Sequence, residues 1–254
     1  MIKGVIFDLD GVMIRSEPLA LEAWQRCLAP DGKRMEDEEY RSLIGVSHEA
    51  SLREVIGRHR LDTTPEALNR CFQSHMLGLI DQAEQMPGLL PLLQDLRTRG
   101  YGLAIASNSS SEYVRKAIAR NGIAEYFLCM VGADQVERGK PAPDVYLAAA
   151  RGLGVPPESC LAVEDSPSGV QAALAAGMVC VFIPNGDLPP VSPNGAHAVY
   201  PSLDAWHTDL DLGRPIEVMT DMSKSRKLGF AVYQRTDEAF FDLFAQLRAD
   251  RLIP

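Results

Sequence analysis

No apolar run in this chain approaches the roughly 20 residues that a membrane-spanning helix needs, and no cluster of lysine and arginine interrupts a formal charge of −9. The first absence argues against a membrane role. The second argues against nucleic acid, whose binding draws on counterion release from a clustered basic surface. No secretory leader is expected either, because Met1-Ile2-Lys3-Gly4 run straight into an apolar segment that is too short and too soon acidic, and the expected location is the cytoplasm. The five cysteines, Cys27, Cys71, Cys129, Cys160 and Cys180, form no C-x-x-C pair and no cysteine–histidine cluster in the sequence. Buried free thiols are expected of them. There is no internal repeat, no low-complexity segment and no glycine-rich dinucleotide fingerprint, so NAD binding is not expected.

What is present suits a stable globular protein. With 254 residues, 46% hydrophobic and 23% charged, the chain can bury one substantial core and a smaller appended domain without disulfides or structural metal. Short β-rich apolar runs at residues 4–9, 102–106, 129–132, 160–163 and 179–183 alternate with helical stretches at 89–99, 111–121, 143–153 and 168–176. That alternation predicts an α/β fold, a Rossmann-like parallel sheet with helices on both faces. Glycines at 100, 122 and 177 suit left-handed helix stops, and a last short strand is expected around 197–200, after a loop rich in Pro, Gly and Asn.

Between residue 14 and about residue 84 the texture changes to charged, helix-favouring sequence at 19–28, 36–43, 48–58 and 65–80. An all-helical insertion directly after the first strand reads as a cap over the carboxyl edge of the sheet, where open α/β sheets bind ligands. The expected organisation is a core of residues 1–14 and 85–212, a cap of 15–84, and a C-terminal extension of 213–254.

Four segments carry chemistry. The first strand ends in Asp8-Leu9-Asp10-Gly11, and two carboxylates two positions apart project the same way. Like charges at that range raise one pKa unless a cation intervenes; a divalent metal would leave one carboxylate nucleophilic and the other free to shuttle a proton. Taken alone, the pair also fits a solvated Asp-x-Asp-Gly turn, the less favoured reading. The second strand runs into Ser107-Asn108-Ser109-Ser110 before a helix, which suits a phosphate at a helix N-terminus but also a plain N-cap. Lys140 stands in a proline-punctuated loop, Gly139-Lys140-Pro141-Ala142-Pro143, from which its ammonium can reach a phosphoryl oxygen and a carboxylate. Finally, the apolar run Leu161-Ala162-Val163 stops abruptly at Glu164-Asp165-Ser166, adding acids to an oxygen-rich site of the kind magnesium prefers.

The ordered set Asp8-Leu9-Asp10-Gly11-Val12, Ser107, Lys140-Pro141 and Glu164-Asp165-Ser166 resembles the four motifs of the haloacid-dehalogenase superfamily. The helical insertion resembles that superfamily's C1-type cap, as in sugar-phosphate phosphatases and β-phosphoglucomutase. The resemblance implies a Mg²⁺-dependent phosphatase of a small-molecule phosphate ester, a sugar phosphate, sugar-acid phosphate or similar polyol phosphate. Asp8 would attack phosphorus to give an aspartyl-phosphate, and Asp10 would protonate the leaving oxygen and later activate water. Ser107, with backbone N–H groups near Asn108, would hold phosphoryl oxygens, and Lys140 would neutralise them. Asp8, the main-chain carbonyl of Asp10 and Asp165 would ligate Mg²⁺, with Glu164 ligating it directly or through another group.

Two other readings stay open. A mutase of this family carries a cap histidine and a cap arginine, but the aligned positions here are Ala20 and His48, which favours hydrolysis. A binding module with a vestigial site is the other. Glu17, in Ser16-Glu17-Pro18, resembles a hinge residue that contacts substrate, although an acid there also complements a helix dipole. Gly45, His48 and Arg53 are further cap candidates for the substrate side. In the extension, residues 220–230 resemble weakly a near-terminal piece of sugar-nucleotide epimerases, and Phe240, Leu243, Phe244 and Leu247 share one helical face. That face is expected to dock on its own domain or to form a homodimer contact.

Overall fold

The computed structural model describes residues 2–43, 48–188, 190–193 and 195–211. Six parallel strands form the core sheet in the order β5-β4-β1-β6-β7-β8. They are β1 (Gly4–Phe7), β4 (Gly102–Ala106), β5 (Cys129–Val131), β6 (Cys160–Glu164), β7 (Val179–Phe182) and β8 (Ala198–Val199). β1 lies at the centre, with Phe7 in register with Ile105 on one side and Val163 on the other.

A strand flanked on both edges and both faces must be apolar throughout, and Val5, Ile6 and Phe7 are fully buried. Strand alternation sends Val5 and Phe7 to one face with Leu103, Ile105 and Val163, and Ile6 to the other with Ala104 and Ala162. On the first face lie α5 (Leu89–Thr98), α6 (Ser111–Arg120) and α9 (Leu203–Asp211). α5 offers Leu89, Leu92, Leu93 and Leu96, all buried, at three- and four-residue spacing; each such leucine stabilises the fold by about 1.5–3 kcal/mol. On the second face lie α7 (Asp144–Leu153) and α8 (Pro167–Ala175). The expected fold class is the one observed. α9, which buries Trp206 against Phe7, has no counterpart in the sequence reading.

Between β1 and α5 the chain makes a two-stranded antiparallel ribbon, β2 (Ile14–Arg15) with β3 (Glu84–Gln85). These two strands, too short to carry a period, enclose α1 (Glu17–Leu28), α2 (Asp37–Ser42), α3 (His48–His59) and α4 (Pro65–Leu79). α1 and α4 pack side by side through Trp24 and Phe72, whose ring centroids are 4.6 Å apart. Thr64 starts α4 by accepting from the Ala67 N–H at 3.3 Å.

That packing corrects the cysteine expectation. Cys27 on α1 and Cys71 on α4 are paired as a disulfide, with Cα atoms 5.9 Å apart, while Cys129, Cys160 and Cys180 are free thiols. A sequence separation of 44 residues carries no spacing signal; only the adjacency of two helices brings the sulfurs together. His75, one turn after Cys71, joins them, so a cysteine–histidine cluster does exist. Residues 44–47 and 212–254 lie outside the described residues, as do Gly45, the side chain of His48, and the proposed docking or homodimer face of the extension. Among the described residues no helix is long and apolar enough to cross a membrane.

Candidate active site

Three neighbouring strands deliver the site. β1 ends one residue before Asp8, β4 one residue before Ser107, and β6 runs into Glu164 and Asp165. Main-chain bonds continue the sheet past the strand ends, fixing where each side chain emerges. The Asp8 N–H donates to Val163 O at 2.9 Å, and the Ser107 N–H to Val131 O at 3.0 Å.

Lys140 is the hub. Its loop is pinned to the β4–α6 turn by Asn108, whose Oδ1 accepts from the Lys140 N–H at 2.7 Å and whose Nδ2 donates to Lys140 O at 3.2 Å. The buried ammonium donates to Asp8 Oδ1 and, at 2.6 Å, to Glu164 Oε1. Burial opposes the Lys140 charge, yet Asp8 and Glu164 raise its pKa above the usual lysine value. Glu164 is completely buried and fully engaged. Its Oε1 also accepts from the Tyr146 hydroxyl at 2.7 Å, and its Oε2 from Ser166 Oγ at 3.1 Å and the Asp165 N–H at 3.2 Å.

The acids outnumber this one cation. Oxygens of Asp8, Glu164 and Asp165 lie within 4.8 Å of one another. Burial, reinforced by Glu164 and Asp10 against the opposing pull of Lys140, pushes the Asp8 carboxyl up to about 7. Burial and the charges of Asp8 and Glu164 hold Asp165 well above the usual carboxylate range. Gly11, at φ +79°, makes room: a Cβ there would lie 2.0 Å from Asp165 Oδ2. Oxygen ligands crowded beyond their charge compensation fit a hard divalent cation.

Asp10 is held apart from this knot. Its carboxylate accepts from Ser109 Oγ at 2.8 Å and the Tyr113 hydroxyl at 3.1 Å. Two donors fix its rotamer above the β4–α6 turn, where Ser107 Oγ accepts from the Ser109 N–H at 3.0 Å. Ser110 caps α6 by accepting from the Tyr113 N–H at 3.3 Å. On the helical side Glu17 accepts from the Tyr40 hydroxyl. Burial raises the Glu17 pKa, with a further push from Asp10. Arg15 pairs Asp187 through two 2.6 Å bonds. Arg53 is exposed and pairs with Glu49 on its own helix, so nothing in its contacts turns it toward the acids.

The structure therefore brings together Asp8, Lys140, Glu164 and Asp165, with Ser107 on the adjoining β4–α6 turn and Asp10, from the loop after β1, bonded to Ser109 of that turn. Sequence reasoning missed Tyr146, Tyr113, Ser109, Tyr40 and Asn185, the last donating to Asp165 at 3.4 Å. Ser109 lay inside a quoted motif; the three tyrosines had no spacing signal, because each reaches the site from a helix face.

A model of the haloacid dehalogenase-like hydrolases matches residues 5–183. The bifunctional riboflavin kinase/FMN phosphatase of Arabidopsis thaliana is 31% identical over 182 residues, 71% of this chain but 48% of that protein. The fructose-1-phosphate phosphatase YqaB of Escherichia coli is 33% identical over 184 residues, 71% of this chain and 95% of that protein. CbbY from Rhodobacter sphaeroides, solved in complex with phosphate, superposes with a TM-score of 0.71 at 27% identity, covering 80% of this chain and 96% of that one. With its strand-end acids, its lysine loop and a family match over most of its length, this chain belongs to the haloacid dehalogenase-like hydrolases.

Proposed function

We propose that the protein is a Mg²⁺-dependent phosphatase of a small phosphorylated metabolite, working through an aspartyl-phosphate on Asp8. The observation that carries this reading is the convergence of Lys140, from the loop before α7, on Asp8, Glu164 and Asp165 at the carboxyl ends of the adjacent parallel strands β1 and β6. In the first half-reaction an Asp8 carboxylate oxygen attacks phosphorus while the ester oxygen departs with a proton from Asp10. Water then attacks the acyl phosphate, gives its proton back to Asp10 and releases inorganic phosphate, restoring the Asp8 carboxylate. Lys140 meets the charge on the phosphoryl oxygens, and its bond to Glu164 keeps the ammonium aimed there once Asp8 is phosphorylated. Ser107 and the amides of the turn at Asn108 bind the remaining oxygens. Asp8, the main-chain carbonyl of Asp10 and Asp165 would hold Mg²⁺, and Glu164, saturated by other donors, would act on it only through Lys140 and the Asp165 amide. The bound ion would neutralise phosphoryl charge in a site that already carries more carboxylates than cations.

The helical segment, residues 15–84, would close this edge as a cap. Glu17, with Tyr40 donating to it, and Gly45 and His48 are the proposed contacts to the non-phosphate part of the substrate. Hydroxyl acceptors such as Glu17 suit a sugar, sugar-acid or other polyol phosphate, and the fructose-1-phosphate phosphatase relative supports that class. Hydrolysis is preferred to a mutase reaction because Ala20, half-buried on α1, has no side chain that could stand in for the mutase histidine. The test is phosphate release by the purified protein with Mg²⁺ across sugar and polyol phosphates and a generic aryl phosphate. Release from at least one, lost in Asp8→Asn, is expected. Equal background in both proteins would favour a vestigial binding module instead.

A further inference from the structure

The α1–α4 contact contains a second set of metal-ligating side chains that the mechanism does not use. Cys27 projects from α1, and Cys71 and His75, four residues apart, project from one face of α4. The two sulfurs and an imidazole nitrogen all lie within 4.8 Å of one another. We propose that in the reduced chain Cys27, Cys71 and His75 bind Zn²⁺ as a clip between the two helices.

The ligand chemistry selects the ion. Two thiolates and a neutral imidazole form a soft set that suits zinc and disfavours magnesium, which takes oxygen ligands. Two thiolate charges balance the 2+ ion, so the complex is neutral, as a position between packed helices requires. Cys27 is buried while Cys71 and His75 are partly open, leaving a side from which the ion enters and a fourth position for water. The stack of Trp24 on Phe72, the residue after Cys71, fixes the spacing of the helices, so little order is lost on binding.

The disulfide between Cys27 and Cys71 is the oxidised form of the same pair. A dithiol reductant supplies two electrons and two protons and is itself oxidised to a disulfide, whereas a phosphine supplies the two electrons and water the two protons as the phosphine oxide forms. Either returns both thiols, and the ion then displaces one proton from each as the metal–sulfur bonds form. A disulfide alone gives His75 no role, whereas a metal site uses all three groups.

The test uses the full-length protein reduced with a phosphine, with excess Mg²⁺ present to occupy the carboxylate centre, titrated with Co²⁺ as a spectroscopic stand-in. Thiolate-to-cobalt charge transfer and tetrahedral ligand-field bands, saturating at one equivalent and bleached by Zn²⁺, are expected. Charge transfer falls in Cys27→Ser, and His75→Ala weakens binding by at least about tenfold. Because a serine or alanine variant could unfold the helix pair, thiol-reagent counting on the wild type gives a second readout: Zn²⁺ shields two of the five cysteines. Absence of charge transfer in the reduced wild type, or no shielding by Zn²⁺, overturns the proposal. Oxygen-only coordination at Asp8 and Asp165 gives no thiolate band, so loss of phosphatase activity and loss of this site are read separately.

Discussion

Glu164 is where two independent substitutions should produce one phenotype. Every hydrogen-bonding position around its carboxylate is occupied by a donor: Lys140 Nζ at 2.6 Å and the Tyr146 hydroxyl at 2.7 Å on one oxygen, Ser166 Oγ at 3.1 Å and the amides of Asp165 and Ser166 at 3.2 and 3.4 Å on the other. In Glu164→Gln the amide NH₂ must face one of these donor groups in either orientation, and the ammonium loses a buried counter-charge. Breaking one side of a buried ion pair costs about 3–5 kcal/mol. Gly169→Ala reaches the same carboxylate without touching its charge. Its new Cβ would lie 1.9 Å from Glu164 Cδ, a clash worth about 1–3 kcal/mol. The sign is diagnostic, because alanine in place of a helical glycine otherwise stabilises by about 1 kcal/mol. Both variants should also release Lys140 from its aim and lower kcat on the order of 100-fold, the scale for losing one preorganised donor. Urea unfolding and steady-state phosphate release measure the two quantities. If both variants stayed within about 1 kcal/mol of wild type and kept their kcat, Glu164 would not be the residue that orients Lys140.

Asp8→Asn should remove phosphate release while leaving a folded protein, since the amide is isosteric but cannot form the phospho-enzyme; any burst of acyl-phosphate on the variant would contradict the nucleophile assignment. Tyr113→Phe deletes one of the two donors that orient Asp10, and kcat should fall about tenfold with KM little changed, whereas a rise in KM alone would mean that Tyr113 serves substrate binding. A chelator should abolish activity and Mg²⁺ restore it. The pH dependence of metal stabilisation follows from Asp8. Its folded pKa of about 7 exceeds the unfolded value of 3.8, so its contribution to stability is complete below the unfolded pKa and is lost as pH rises through about 7. The metal-free protein should weaken over that window, and Mg²⁺ should raise the melting temperature more at about pH 8 than at about pH 5.5; equal increments at both would show that these carboxylates do not sense the ion.

The parallel sheet was legible because buried strands such as residues 160–163 are continuous apolar runs, and helices such as α5 repeat leucine at three and four. The ribbon β2–β3 has two residues per strand, below any period. The acids and Lys140 were legible because each interrupts an apolar strand end or sits in a constrained loop. Tyr146, Tyr113 and Tyr40 were not, since a tyrosine on an amphipathic helix reads as core until the opposing carboxylate is known. The same holds for Cys27 and Cys71, which sequence separates and helix packing joins.

The balance of charge at the strand ends explains why these residues need one another. Asp8 and Lys140 alone would form a self-contained buried pair, with the proposed nucleophile quenched by its own counter-ion. Glu164 competes for the ammonium and is itself held by Tyr146 and Ser166, so Lys140 is shared rather than committed to Asp8. Asp165 adds a further acid that the same ammonium offsets only in part, and burial, reinforced by the neighbouring carboxylates, pushes both Asp8 and Asp165 upward. A fold that concentrates acids this way is poised to take up positive charge and, once it has done so, to bind an anion that the net charge of −9 would otherwise repel. Substrate affinity should therefore follow metal occupancy rather than the charge of the protein surface.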